Sequence, residues 1–271
     1  MSDCLDAAAV RAKVDGAVAG ALKFEGDWLD GPKFDYAAAD LAAALVGAGR
    51  GLTALDLYGN NLGADGMASL SEALASGCCP VLASLDVGYT ELGADGMASL
   101  SGVLASGCCP LLLASLDVRQ TSNGADGMAS LSEALASGCC PLLASLSVHY
   151  NELGADGMAS GCCPVLASLD VGFNKLTRFP EALCAVASLE ELSFGGNDID
   201  RVPLGLLHLT RLAEAEYPRQ PPAAAGDGAA RRQPRQHRRA VRLPARQYAH
   251  QAVPTSPCVP AGISLSDRLP L

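Results

Sequence analysis

Between residues 52 and 81 the chain carries two hydrophobic rhythms, one after the other. In the first, Leu55 and Leu57 alternate with polar neighbours, the period of a short strand that buries one face. In the second, Met67, Leu70 and Leu74 share one face at helical spacing within GADGMASLSEALA. A three-turn helix and a short strand cannot bury their apolar faces alone, so each unit must lean on a neighbour. The neighbours are copies: the unit's first leucine recurs as Leu52, Leu82, Leu113, Leu143, Leu166 and Leu189, at offsets of 30, 31, 30, 23 and 23 residues. Periods in this range predict a solenoid, with parallel strands stacked on one side and helices on the other.

The same rhythm orders the rest of the chain. Residues 1–18 read as an amphipathic capping helix, with Leu5, Val10, Val14 and Val18 on one face and Ser2 or Asp3 placed as N-cap. Such a cap covers the open side of a first repeat. Residues 19–217 form the solenoid, opening on a worn repeat in which Leu22, Phe24, Asp27 and Leu29 stand where Leu55, Leu57, Asn60 and Leu62 stand later. Gly47, Gly49 and Gly51 end its helix. After residue 158 the unit loses seven residues, and from Leu166 the shorter period, with Pro180 and Pro203 in the outer segment, predicts tight turns in place of helices. An extra leucine and Asn123, standing where Leu62, Leu92 and Leu153 stand in the other units, predict a local bulge. The last rung keeps Leu212, Ala215 and Tyr217; residues 218–271, rich in Pro, Ala, Arg and Gln without apolar period, read as a disordered tail.

The pattern LxxLxLxxNxL followed by GADGMASLSEALASGCCP resembles leucine-rich repeats, and its helical half is similar to the ribonuclease-inhibitor-like subtype over about residues 19–165. From about 166 to 217 it resembles the shorter, typical repeats. The resemblance implies an α/β fold: a right-handed horseshoe with parallel strands on the concave face, helices outside, and protein binding on the concave side.

Several repeated residues have structural roles that outweigh functional ones. Asn60, Asn151, Asn174 and Asn197 take the place of the family's asparagine ladder, with Thr90 and Thr121 as weaker substitutes that predict looser bends. Asp65, Asp95, Asp126 and Asp156 read as helix N-caps rather than calcium ligands. The pairs Cys78-Cys79, Cys108-Cys109, Cys139-Cys140 and Cys162-Cys163 read as packing, with a thiophilic metal stripe or inter-rung disulfides as alternatives.

Composition fits an aliphatic stacked core, since 49% of residues are hydrophobic and only 4% aromatic. The net charge of -10 hides an acidic body and an Arg-rich tail. The body therefore points to a basic protein partner and away from nucleic acid, while the tail admits solvated disorder, an anion or nuclear-import contact, or a clamp onto the body. No apolar run approaches the roughly 20 residues needed to cross a bilayer, and no leader is evident, so the reading is of a soluble cytoplasmic protein with no membrane partner; a nuclear location is the alternative.

The candidate site lies on the outward strand positions. One column reads Lys23, Asp56, Asp86, Asp117, Ser147, Asp170 and Ser193. Carboxylates about 4.8 Å apart repel by about 1 kcal/mol per pair in water, which a cationic partner would relieve. Beside them stand Tyr58, Arg119 and His149, and past the strand ends Tyr89, Tyr150 and Phe173. Aromatics next to carboxylates suit recognition of Arg or Lys. The plainer alternative is that the aspartates were copied with the repeat as solvated residues. No phosphate loop, nucleophile elbow or zinc helix occurs, so neither an enzyme nor a bound cofactor is expected. The alternative readings, carried by resemblance, are a GTPase activator of the Ran-activating type and a sensor fragment of a NACHT-type receptor.

Overall fold

The computed structural model describes residues 6–17, 20–24, 38–107, 112–153 and 165–216, together with two short strands at 241–242 and 263–264. Helix α1 (Ala7–Gly16) buries Val10 and Val14 against α2 (Ala38–Ala48). Its N-cap is Asp6, whose carboxylate accepts from the Ala9 amide at 2.8 Å. The helix thus starts later than Ser2 or Asp3 would place it, and residues 1–5 and 18 lie outside the described residues.

Each following unit delivers a three-residue strand. The strands are β1 (Ala21–Lys23), β2 (Ala54–Asp56), β3 (Ser84–Asp86), β4 (Ser115–Asp117), β5 (Ser145–Ser147), β6 (Ser168–Asp170), β7 (Glu191–Ser193) and β9 (Glu214–Glu216). They run parallel in chain order in one sheet, with Leu22, Leu55, Leu85, Leu116, Leu146, Leu169 and Leu192 in register and buried. Helices α3 (Gly63–Ala75), α4 (Gly93–Ala105) and α5 (Gly124–Ala136) stack beside one another and close the core with Met67, Met97 and Met128. The second glycine of GADGM permits that stacking: a Cβ at Gly96 would lie 3.2 Å from the Ala64 Cα of the preceding helix.

From β6 onward the outer segments shorten to 3-10 turns, Glu181–Ala185 after Pro180 and Leu204–His208 after Pro203, as the shorter period predicts. Strand β8 (Arg201–Val202) pairs antiparallel with β11 (Ile263–Ser264), and β10 (Val241–Arg242) pairs antiparallel with β9. The reading of a disordered tail falls, apart from these four residues, outside the described ones. So do Asp27 and Leu29 of the worn repeat, the Cys108-Cys109 and Cys162-Cys163 pairs, Asp156 and the seven-residue deletion. No helix among the described residues is long and apolar enough to cross a membrane.

The asparagine ladder stands as read. Asn151 Nδ2 donates to the Val118 and Val148 carbonyls at 2.7 and 3.0 Å, and its Oδ1 accepts from the Thr121 amide at 2.9 Å. Thr90 and Thr121 bond less of the bend, as expected: both are fully buried, and each hydroxyl donates to a single backbone carbonyl, of Val87 and Val118, where Asn151 serves two.

Two other expectations need correction. The helices begin at the glycine two residues before Asp65, Asp95 and Asp126, so these aspartates sit in the first turn and make no cap hydrogen bond. The cap comes from the next rung: the Gly63, Gly93 and Gly124 amides donate to the Thr90, Thr121 and Asn151 carbonyls at 2.9, 2.9 and 3.1 Å. Asn123 produces no bulge either. Helix α5 matches α3 and α4 in length because stacking on α4 holds its backbone, and Asn123 is buried with neither side-chain polar atom hydrogen-bonded.

The cysteines pack. Cys79 is 1% exposed, and a Cβ added at Gly49 of the previous rung would stand 2.8 Å from its sulfur. The described cysteines Cys78, Cys79, Cys139, Cys140 and Cys184 are free thiols.

Candidate functional site

The aspartate column forms because strand register is exact only to the residue when one face is buried. Asp56 pairs across to Asp86, Asp86 to Asp117, Asp117 to Ser147, and Ser147 to Asp170. Each aspartate ends its strand and turns one oxygen back on the chain. Asp56, Asp86, Asp117 and Asp170 accept from the amides of Tyr58, Gly88, Arg119 and Gly172 at 3.0, 2.8, 3.0 and 2.9 Å. The column therefore shapes the strand exit, a role the repeat period alone did not reveal.

Its repulsion is relieved from within. Lys23 Nζ sits 2.8 Å from Asp56, Arg119 lies 2.6 Å from Asp117 and 3.8 Å from Asp86, and His149 Nδ1 is 3.2 Å from Asp170. A cationic partner is not required to hold the carboxylates together, which corrects the argument from repulsion. The relief is incomplete at the centre, where one guanidinium serves two carboxylates. Burial, then the charge of Asp117, pushes Asp86 up to about 6 against the opposing Gly88 amide and Arg119. Asp117 is raised as well, chiefly by burial. Asp170 goes the other way: burial would raise it, but the His149 hydrogen bond, the Gly172 amide and the His149 charge together hold it low.

Beside the carboxylates the rings form two groups. Tyr58 and Tyr89 have centroids 5.0 Å apart, with the Arg119 guanidinium 5.3 Å from the Tyr58 centroid. Tyr150 and Phe173 stack at 4.5 Å and 13°, and His149 meets both edge-on at 4.6 and 5.2 Å. Glycines supply the floor. A Cβ at Gly172 would stand 2.7 Å from His149 Nδ1, and one at Gly196 2.6 Å from the Phe173 ring. All ten residues expected at the site, Asp56, Tyr58, Asp86, Tyr89, Asp117, Arg119, His149, Tyr150, Asp170 and Phe173, thus come to one strip at the strand exits. The two ring groups, however, are separated by Gln120.

Tyr89, Gln120, Tyr150 and Phe173 adopt positive φ of 56, 47, 58 and 54°, at the position where Gly59 and Gly196 stand in flanking units. A bulky side chain on left-handed backbone costs about 1 kcal/mol or more. A second such row holds Glu91, Ser122, Glu152 and Lys175, and Lys175 pairs with Glu152 at 2.8 Å. The two rows border an open depression of about 610 Å³ lined by Gln120, Tyr150, Glu152, Phe173 and Lys175. Glu152, Lys175 and Gln120 were missed from sequence; their signal was divergence between otherwise near-identical units.

Compared with known proteins, residues 52–71 match the Leucine Rich repeat family. No curated protein matches the chain. Among solved structures, the chain is similar to TLR13 in a complex with ssRNA13, at 25% identity and TM-score 0.47, over 66% of this chain and 24% of that one. It is similar to the internalin inlF of Listeria monocytogenes at 14% identity and TM-score 0.46, over 77% of this chain and 56% of that one. For internalin C2 of the same organism the values are 19% and 0.45, over 76% and 83%. The chain thus spans about a quarter of the TLR13 chain and just over half of the inlF chain.

Proposed function

From a chain built of leucine-rich repeats, an interaction scaffold by fold, we propose a non-catalytic, cytoplasmic module that binds a basic protein through the strip at its strand exits. The observation that supports this reading is the aromatic row on left-handed backbone. The flanking units use Gly59 and Gly196 there, so Tyr89, Tyr150 and Phe173 carry a conformational cost that stacking only partly offsets. Partner contact is the use that such a row serves: Tyr150 is 43% exposed, and Tyr89 and Phe173, half-buried, flank it. Charge sets the partner's chemistry. Arg119 answers only one of the two charges on Asp86 and Asp117, so an arginine or lysine of the partner meets residual negative potential beside ring faces.

The test is affinity capture from native lysate with the full chain and with a Tyr89→Gly, Tyr150→Gly, Phe173→Gly variant. Glycine suits the left-handed backbone, so the variant keeps its thermal stability to within about 1 kcal/mol per site. A basic protein is retained by the wild type, released by salt and lost by the variant. Equal capture by both removes the rings from the interface.

A further inference from the structure

A different surface stands out on the opposite rim, where the chain enters each strand. In the four central units the residue just ahead of the unit's first leucine is Val81, Leu112, Leu142 or Val165, and these are 37%, 44%, 47% and 42% exposed. In the units on either side that position holds Gly51 and Ser188. The four aliphatic residues occupy the same place on successive rungs, at roughly the 4.8 Å strand spacing. They form a stripe, not scattered exposures.

Charge isolates this stripe from the rest of the body. Residues 73–85, 96–116, 134–148 and 157–169 contain no Asp, Glu, Lys, Arg or His, in a chain of net charge -10. Among the described residues charge returns at the two ends of the rim, as exposed Arg50 in the preceding unit and, in the unit beyond, as Glu191, which accepts from Ser168, and Glu190, which pairs with Arg211 at 2.5 Å. Two copies of so acidic a body repel wherever their carboxylates face; along this rim they do not.

The order of side chains selects the occupant. Read along the rim the stripe is Val, Leu, Leu, Val, the same in both directions. Such an order suits an isologous interface, because a two-fold axis brings residue i of one copy to j of the other and j to i, so that like side chains face one another. With the axis midway along the stripe, between Leu112 and Leu142, Val81 of one copy meets Val165 of the other and Leu112 meets Leu142. The same rotation sets Arg50 of each copy towards the rung that carries Glu190. We infer that this neutral rim is a self-association surface, through which two copies of the chain pair antiparallel about a two-fold axis. It leaves the aromatic strip, on the other rim, free for a partner.

The exposed aliphatic area is on the order of 300 Å² per copy, so even with the flanking Ser, Gly and Pro the contact stays below the roughly 1,200 Å² of a standard interface. The dimer is accordingly weak, with a Kd in the micromolar range or above.

The experiment is sedimentation of the full chain from about 1 to 300 μM, a range that brackets weak interfaces. The wild type's mass rises towards twice the monomer's, while Leu112→Lys and Leu142→Glu variants each associate more weakly, with unchanged circular dichroism and melting. Mixing the two variants restores association, because the two-fold axis sets position 112 of one copy against position 142 of the other. A monomer at every concentration overturns the inference. Association that both variants retain, or that mixing fails to restore, overturns the assignment to this rim. Flotation of a monomeric wild type with phosphatidylcholine vesicles, lost in the variants, overturns it in favour of a lipid surface.

Discussion

Asp86 offers the sharpest test of the site's energetics. Its carboxyl is pushed up to about 6, from an ordinary value of 3.8, mainly by burial and then by Asp117. The folded protein therefore binds more protons than the unfolded chain between about pH 4 and 6, and the ionised form weakens the fold at all higher pH. At about 1.4 kcal/mol per unit the penalty is at most about 3 kcal/mol. Asp86 keeps a quarter of its side chain in solvent, which reduces this to about 1.5 kcal/mol. Asp86→Asn keeps an oxygen to accept from the Gly88 amide while removing the charge, and Arg119 retains Asp117. The variant should exceed the wild type at pH 7.5 by about 1.5 kcal/mol, or about 3–6 °C in Tm. At pH 4 the two should converge, since the wild-type carboxyl is then protonated in the folded state. Calorimetry at both pH values measures the difference. A variant less stable at pH 7.5 would show that the Arg119 attraction outweighs burial; a difference that does not change with pH would show that Asp86 titrates normally.

Three further outcomes follow from the packing. Asn123→Leu restores the residue found at the equivalent positions 62, 92 and 153 and removes a buried amide without partners, so chemical denaturation should show a gain of about 1–3 kcal/mol. Asn174→Ala deletes an amide that donates to the Val148 and Val171 carbonyls and accepts from the Asn151 amide, and should cost about 2–4 kcal/mol by the same measurement. Gly172→Ala drives a Cβ against His149, displaces it from Asp170 and should let the Asp170 carboxyl, held low in the wild type, titrate at higher pH. That carboxyl supplies stability above its unfolded pKa that is lost as pH falls, so the variant should be less stable than the wild type at pH 7 with the gap closing towards pH 3, read by carboxyl-detected NMR and melting.

Much of the fold and the column of the site were legible because a solenoid makes local rules repeat. The 30- and 31-residue spacings put Leu55, Leu85 and Leu116 in register, and Asp56, Asp86 and Asp117 had to follow, since strand side chains alternate with period two. The inward asparagines were legible for the same reason. What misled was any property that depends on the next rung. Asp65 looks like an N-cap in sequence, yet the Gly63 amide finds the Thr90 carbonyl one repeat later. Asn123 looks like a fault, yet the stacking of α5 on α4 keeps the common helix start there.

Sequence by itself determined the repeat, the aliphatic core, the change from helices to turns after residue 166, and which side chains share the strand-exit rim, because each of these depends on periodicity within the chain. Only the tertiary structure decided what those side chains do to one another. Lys23 on Asp56, Arg119 on Asp86 and His149 on Asp170 are contacts between rungs, 33, 33 and 21 residues apart, and Arg119 also holds Asp117 of its own rung. Such contacts depend on rotamer, burial and the room left by Gly88 and Gly172, quantities that exist only once the rungs are stacked.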